Sequence, residues 1–195
     1  LNDSENLVQK GPKVFPLIYV FLFGFNGAIL SALFPAYATH LGVSADLIGL
    51  MFLLSGLTQT LTLLLANTLQ SKLGWGMMLL LSSFFSICSL TIIGLALVMP
   101  LFFVGFTIFG LGQGMAYSTA ILLVLKGRGS TRGKAAGLFE STLGIGTFTG
   151  PLVGGAFYQV GGAYPYLFGA LVSVSMIGVQ LFIMLMRVHR KKREG

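Results

Sequence analysis

The sequence predicts an all-α integral membrane protein in which six transmembrane helices form one bundle. Three observations predict this class: 55% of the 195 residues are hydrophobic, only 9% are charged, and the apolar residues fall into long runs. Such a composition cannot cover the surface of a water-soluble globule. Because a hydrocarbon core of about 30 Å takes about 20 apolar residues per helix, six spans use almost the whole chain.

The elements, in order, are a polar segment, the six-helix transmembrane domain and a basic tail. We place the polar segment at residues 1–13, the transmembrane domain at 14–187 and the cytoplasmic tail at 188–195. Apolar runs bounded by charge, Gly or Pro predict spans at 14–39, 46–70, 75–98, 101–125, 133–158 and 164–187. Because the sequence begins with Leu rather than Met, we expect it to be cut from a longer chain; the alternative is that a tag or leader was trimmed.

Basic residues alternate between connectors and predict the orientation of the spans. Lys and Arg precede the first span and follow the second, fourth and sixth, whereas the other three connectors contain none. Cationic loops stay on the cytoplasmic side during insertion, so both termini are expected in the cytoplasm, in a plasma or inner membrane. The net charge of +7 is then explained by anchoring to acidic membrane lipids, without a nucleic-acid partner.

The first, second and fourth spans each carry a carboxamide near the middle. An unpartnered amide in hydrocarbon is costly, so Asn26, Gln59 and Gln113 must each face protein or water. Tyr19 shares the face of Asn26, and Tyr117 shares the face of Gln113. We therefore expect these five residues to line a substrate path; the alternative is that they form hydrogen bonds between helices.

The fifth span is rich in small residues at helical spacing. Gly133, Gly137 and Ser141 recur every four residues, and so do Gly146, Gly150 and Gly154, which predicts two stripes against which other helices press. Pro151 cannot donate to the carbonyl of Thr147, so the helix is expected to bend there, as a hinge or as a static kink. The residues assigned to this packing hinge are Gly146, Gly150, Pro151, Gly154 and Gly155.

Glu140 is the one carboxylate within the apolar runs, about two turns into the fifth helix. We expect it to pair with Lys134, Lys72 or Arg132 as the latch of a cytoplasmic gate. The alternative is a proton-coupling role, since burial away from a cation favours a protonated carboxyl that can exchange its proton during transport.

Other candidate sites are weak. Asp46, next to Ser44 at the start of the second helix, predicts capping of that helix rather than an ion site. The single cysteine, Cys88, excludes an intrachain disulfide and a thiolate metal cluster. His40 and His189 lie at opposite membrane faces, so we expect no catalytic constellation, no metal site and no cofactor.

A short internal echo relates the first and fourth spans. Phe23–Ala28 resembles Phe109–Ala116, and both place a carboxamide next to Gly in an apolar helix. Two three-helix units of opposite orientation, a 3+3 inverted repeat, would produce this echo.

At this point the residues resemble the major facilitator superfamily, across essentially the whole chain. Residues 146–155, Gly-Thr-Phe-Thr-Gly-Pro-Leu-Val-Gly-Gly, look like the G-x-x-x-G-P-x-x-G-G signature that the family places on its fifth helix, especially in antiporters and drug exporters. Residues 132–138 look like the R-G-x-A-x-G-L start of that helix. The hydropathy, orientation and short loops fit one six-helix half of such a protein.

Two other family motifs are degraded. Residues 67–76 resemble G-x-L-A-D-R-x-G-R-R, but Ser71 replaces the acidic residue, and Gly110 stands where R-x-x-Q-G has its Arg. Because these charges typify the amino-terminal half, their absence favours the carboxy-terminal half, although the Gly-Pro signature is better known from the other. Residues 1–13 would then end the central cytoplasmic loop.

The resemblance implies secondary transport of a small organic solute by alternating access, by proton-coupled antiport, by facilitated passage, or as efflux of a drug or metabolite. It implies that the first and fourth helices line the path and that the third and sixth face lipid more. The implied partners are membrane lipids, the solute, and the other six-helix half or a second copy of this chain. The alternative is a non-transporting scaffold or receptor with the same fold.

Overall fold

The computed structural model describes residues 15–125 and 132–194, with side chains as far as Leu181. Within these ranges the chain forms six helices and no strand, which confirms the predicted class. The helices are α1 Phe15–His40, α2 Ala45–Leu64, α3 Ala66–Leu95, α4 Met99–Leu125, α5 Arg132–Tyr158 and α6 Tyr164–Glu194. The polar segment 1–13, the basic loop 126–131 and the side chains of the basic tail lie outside the described residues.

Five of the six helices are long and apolar enough to cross a membrane: α1, α2, α3, α4 and the part of α6 from Tyr164 to Leu181. The chain is therefore a multi-pass membrane protein. α5, at 27 residues, is long enough but is less apolar than these five spans. The reason is its content of Gly, Ser and Thr, which suits close contact with another helix better than contact with lipid. The crossing of the membrane by α5 stays a prediction.

The turn between α1 and α2 is built on a glycine. Gly42 has φ +78°, and the amide of Val43 donates to the carbonyl of Ala38 at 3.0 Å, which closes the end of α1 in a left-handed turn. Ser44 occupies the N-cap position of α2 with an extended backbone, but its side chain makes no capping hydrogen bond. The predicted side-chain cap at Ser44 is thus not formed. Asp46 lies in the first turn, where its negative charge interacts favourably with the positive end of the helix dipole.

α3 contains the one backbone break inside a described helix. Gly74 has φ 75° and ψ 159°, so residues 66–73 and the segment that starts at Trp75 point in different directions. The second span ends at Leu64 instead of residue 70, because the chain turns at Leu65 and begins this short helical segment. Trp75 is also where the sequence predicts the third span to begin. An L-residue rarely adopts this conformation, so position 74 requires Gly.

Gly74→Ala is expected to lower the free energy of unfolding by about 1–3 kcal/mol, because the added Cβ opposes the left-handed backbone. Crowding contributes nothing, since a Cβ at this position meets no atom within 4 Å. Thermal unfolding of the purified protein in detergent measures the effect. Gly56→Ala is the matched control, because Gly56 lies inside α2 in equally open space. Equal midpoints for the two variants would contradict the assigned conformation.

The bundle is organised around α1 and α4, which contact each other. α1 packs most extensively on α5, and α4 packs most extensively on α3 and next on α2. α3 and α6 also pack together, and α6 contacts α1 and α5 as well. The two helices predicted to line the path are therefore central to the bundle.

Glycine allows the two flanking helices to approach the central pair. A Cβ on Gly150 would lie 2.5 Å from the carbonyl oxygen of Phe25, and one on Gly146 would overlap the carbonyl oxygen of Phe21. Gly146, Gly150 and Gly154 therefore all lie against residues of α1. No described helix packs against Gly133 or Gly137 of the other stripe, because Cβ atoms on these residues would meet nothing within 4 Å. Gly155 is equally open, and α5 stays one helix through Pro151.

Two apolar clusters fill the interior at different depths. One is centred on Phe34, Phe106 and Tyr166, with the first two rings 4.6 Å apart. The other includes Phe15 and Phe139, together with buried residues of α3, α4 and α6. On α4 and α6 the chain passes from one cluster to the other through a stretch that contains small and polar residues.

Candidate functional site

A polar layer lies between the two apolar clusters. Asn26 and Gln113 are only 3% and 4% exposed, although both are amides within apolar helices. They face a cavity of about 20 Å³, which is the size needed for one water molecule. We define the polar layer as the polar residues that line this cavity: Tyr19 and Asn26 from α1, Ser82, Ser83 and Ser86 from α3, Gln113 from α4 and Ser173 from α6.

Asn26 joins α1 to α6. Its Nδ2 donates to Ser173 Oγ at 3.1 Å, and that hydroxyl donates in turn to the carbonyl of Gly169 at 2.9 Å. The Oδ1 atom of Asn26 has no hydrogen-bond partner and lies against Gly169, where an added Cβ would be 2.8 Å away. The absence of a side chain at residue 169 therefore makes room for the amide.

A second chain of hydrogen bonds joins α3, α1 and α6. Ser83 Oγ donates to the hydroxyl of Tyr19 at 3.3 Å, and Tyr19 donates to Gln180 Oε1. Gln180 Nε2 donates at 2.6 Å to the carbonyl of Gly76, close to the backbone break at Gly74. Each helix is thus fixed to the other two by side chains that hydrocarbon cannot solvate.

Tyr19→Phe tests this chain. Removing the hydroxyl leaves the buried Gln180 Oε1 without its donor, so we expect the free energy of unfolding to fall by about 1–3 kcal/mol. Tyr117→Phe is the control, because no hydrogen bond of the Tyr117 hydroxyl is described. Thermal unfolding midpoints in detergent report the difference. If both variants unfold at the wild-type temperature, the chain contributes nothing to stability.

Gln113, near the middle of α4, is the residue of that helix in the polar layer. Its Oε1 atom is buried and has no hydrogen-bond partner among the described residues. The adjacent glycines bring α4 close to both neighbours, since a Cβ on Gly112 would lie 3.0 Å from Phe85 of α3 and one on Gly114 would lie 2.7 Å from Thr62 of α2. An acceptor is therefore held rigidly at the cavity.

The structure brings together three of the five residues predicted to line a substrate path and separates the other two. Tyr19, Asn26 and Gln113 meet in the polar layer, and the first two form hydrogen bonds between helices, which is the alternative role. Gln59 and Tyr117 are half-buried and lie outside the layer. The Tyr117 ring packs 5.2 Å from that of Phe23 and 5.4 Å from that of Phe139.

Sequence reasoning missed the polar residues of α3 and α6. These helices were expected to face lipid, yet Gln180 is 1% exposed and Ser82, Ser83 and Ser173 are buried between helices. A signal for Gln180 was present, because it is a carboxamide in an apolar run like Asn26. The serines carry a weaker signal, since a hydroxyl inside a helix can also bond its own backbone, as Ser82 does with Leu79.

The predicted gate residues lie apart from the polar layer. Glu140 is exposed on α5, and the described side chains include no ion pair between it and Lys72, Arg132 or Lys134. The expected latch is therefore not formed in this conformation. Arg132 lines a separate cavity of about 540 Å³ with Gln70, Ser71 and Trp75. No group of His, Cys, Asp and Glu within the described ranges is arranged to hold a metal ion.

Comparison with known protein families gives a match. The family model described as Major Facilitator Superfamily matches residues 17–195, which include nearly all of α1 and the whole of α2 to α6. No curated protein is similar enough to the chain to count as a match.

Proposed function

Because the chain belongs to the major facilitator superfamily of transporters, we propose that it forms one six-helix half of a secondary transporter that carries a small organic solute by alternating access. The finer form of the proposal is proton-coupled antiport, or efflux of a drug or metabolite, by the carboxy-terminal half of such a protein. The basic connectors support an orientation with both termini in the cytoplasm of a plasma or inner membrane.

The open face of α5 is the observation that carries this proposal. Gly137, Glu140, Gly144 and Phe148 lie on one side of the helix and are exposed, with Phe148 at 70%. This side is roughly opposite the glycines that press on α1. A stripe of glycines with a carboxylate is a poor neighbour for lipid tails, so it suits contact with protein or a water-filled path. The occupant we propose is the other six-helix half, or a second copy of this chain.

The glycine contacts support the proposed 3+3 inverted repeat. A Cβ on Gly24 of α1 would lie 2.7 Å from the carbonyl oxygen of Leu143 of α5, and one on Gly110 of α4 would overlap the carbonyl oxygen of Ser55 of α2. Gly24 and Gly110 each follow a Phe in the echo between the first and fourth spans. Matching residues of the echo thus make matching contacts, as two related three-helix units would require.

The proposed path passes Gln59 and Tyr117, which keep part of their surface exposed. Tyr19, Asn26 and Gln113 are buried between the helices and are proposed to hold the helices that form this path. Neither Gln59 nor Tyr117 carries a charge at neutral pH. We therefore propose a neutral, amphipathic or cationic solute, with any charged contact supplied by the other half.

Solute flux in proteoliposomes tests the function. The complete transporter should move at least one of a set of neutral and cationic solutes, ethidium among them, when a pH gradient is imposed. Gln59→Ala should raise KM for that solute, whereas Thr60→Ala, at an exposed neighbouring position, should not. Absence of flux under every gradient would instead support the scaffold or receptor alternative.

A further inference from the structure

The cavity in the polar layer is lined by oxygen-bearing side chains from four helices. Ser82, Ser83 and Ser173 have each committed their hydroxyl hydrogen elsewhere, to the carbonyl of Leu79, the hydroxyl of Tyr19 and the carbonyl of Gly169. Their oxygen lone pairs remain to accept an interaction. These three hydroxyl hydrogens are therefore not available to a ligand in the cavity.

Two buried carbonyl oxygens belong to the same lining and are unpartnered. Asn26 Oδ1 and Gln113 Oε1 have no hydrogen bond, although both side chains are more than nine-tenths buried. Leaving a buried acceptor unpaired costs about 1–3 kcal/mol, and hydrocarbon offers no replacement. Two such atoms beside one cavity indicate a ligand that interacts with acceptors.

Size and chemistry restrict the ligand. A cavity of about 20 Å³ admits one water-sized particle and excludes the organic solutes considered above. Six lining residues other than Tyr19 carry side-chain oxygens, whereas a water molecule donates only two hydrogens. A small hard cation takes about six oxygen ligands, and carbonyl and hydroxyl oxygens can replace its hydration shell.

We propose that the polar layer binds a monovalent cation of the size of Na⁺ between α1, α3, α4 and α6. No carboxylate lines the cavity, so binding is weak, with a dissociation constant on the order of 10⁻³ M or above. Because the ligands come from four of the six helices, the ion stabilises the assembled bundle. This site is separate from the proposed solute path, and its occupancy is measured without transport.

The first test is thermal unfolding of the purified protein in detergent, in NaCl, KCl or choline chloride at constant ionic strength. We expect the midpoint to rise saturably with Na⁺, by a few degrees at about 100 mM, and to rise less in KCl and not at all in choline. Radioactive Na⁺ should bind with the same concentration dependence. Identical midpoints in all three salts would overturn the proposal and leave a cavity that holds water only.

Variants connect the effect with the cavity. Gln113→Leu removes one carbonyl ligand and should abolish Na⁺ binding and the Na⁺-dependent shift. Gln59→Leu makes the same change outside the layer and should retain both. If Gln113→Leu does not fold, Ser86→Ala provides the test, with an expected loss of affinity of about tenfold. A Na⁺ response unchanged in the cavity variants would overturn the proposal, whatever the transport assay shows.

Discussion

Gly146→Leu is expected to prevent α1 and α5 from packing and to eliminate most of the folded, monodisperse protein. Even the first side-chain atom would overlap the carbonyl oxygen of Phe21, which is a backbone atom that cannot rotate away. Gly150 faces the same obstacle one turn later, at the carbonyl of Phe25. Overpacking against backbone costs about 3 kcal/mol or more, a large share of the stability of a small domain. Size-exclusion chromatography and thermal unfolding in detergent measure the loss.

Gly144→Leu is the control for this prediction. It makes the same substitution two residues earlier in α5, where a Cβ meets nothing within 4 Å. This variant should insert and remain monodisperse, because its side chain points away from α1. Similar damage in both variants would show that the effect comes from helix propensity or insertion, and not from the contact with α1.

Glu140→Gln is expected to reduce gradient-driven accumulation of solute by about tenfold or more in the complete transporter. The amide has the shape of the carboxyl group but cannot release a proton, so coupling is lost while the path remains open. Exchange of labelled for unlabelled solute, which needs no gradient, should stay within about twofold of the wild type. The two assays are run on the same proteoliposomes.

Ser141→Ala is the matched control, since Ser141 is an exposed neighbour on the same helix. It should leave both accumulation and exchange unchanged. Unchanged accumulation in Glu140→Gln would remove the carboxylate from proton coupling. Loss of accumulation and exchange together would instead assign Glu140 to the gate or to the contact with the other half.

The helices were predictable because bilayer thickness fixes the length of an apolar run. Five of the six sequence-derived spans begin close to the first residue of an observed helix, and the exception, α3, which begins at Ala66 instead of residue 75, has a local cause. The run from Leu64 through Leu69 continues to look like a span, but the chain turns at Leu65 and breaks at Gly74. A hydropathy pattern cannot predict a turn whose own residues are apolar, because the hydropathy does not change there.

Several polar residues of the candidate site were predictable from the sequence, but the contacts that these residues make with other helices were not. Periodicity places Tyr19 and Asn26 on one face of α1, yet it cannot say which helix that face meets. Gln180 contacts Tyr19 across 161 residues of sequence, and the contact exists only because α1, α3 and α6 assemble. A carboxamide in an apolar helix is therefore consistent both with a solute path and with a hydrogen bond between helices. Only the packing of the helices distinguishes these two roles.

The polar layer also restricts how this bundle can move. Apolar helices can slide along each other in lipid at small cost, whereas a buried polar contact fixes their register. A shift of α1 by one turn along α6 would separate Asn26 from Ser173 and Tyr19 from Gln180, and would strand all four polar groups in hydrocarbon. We therefore expect little sliding of helices at the contacts among α1, α3 and α6. Any large displacement is expected at the outer faces of the bundle, with these six helices turning as one rigid body.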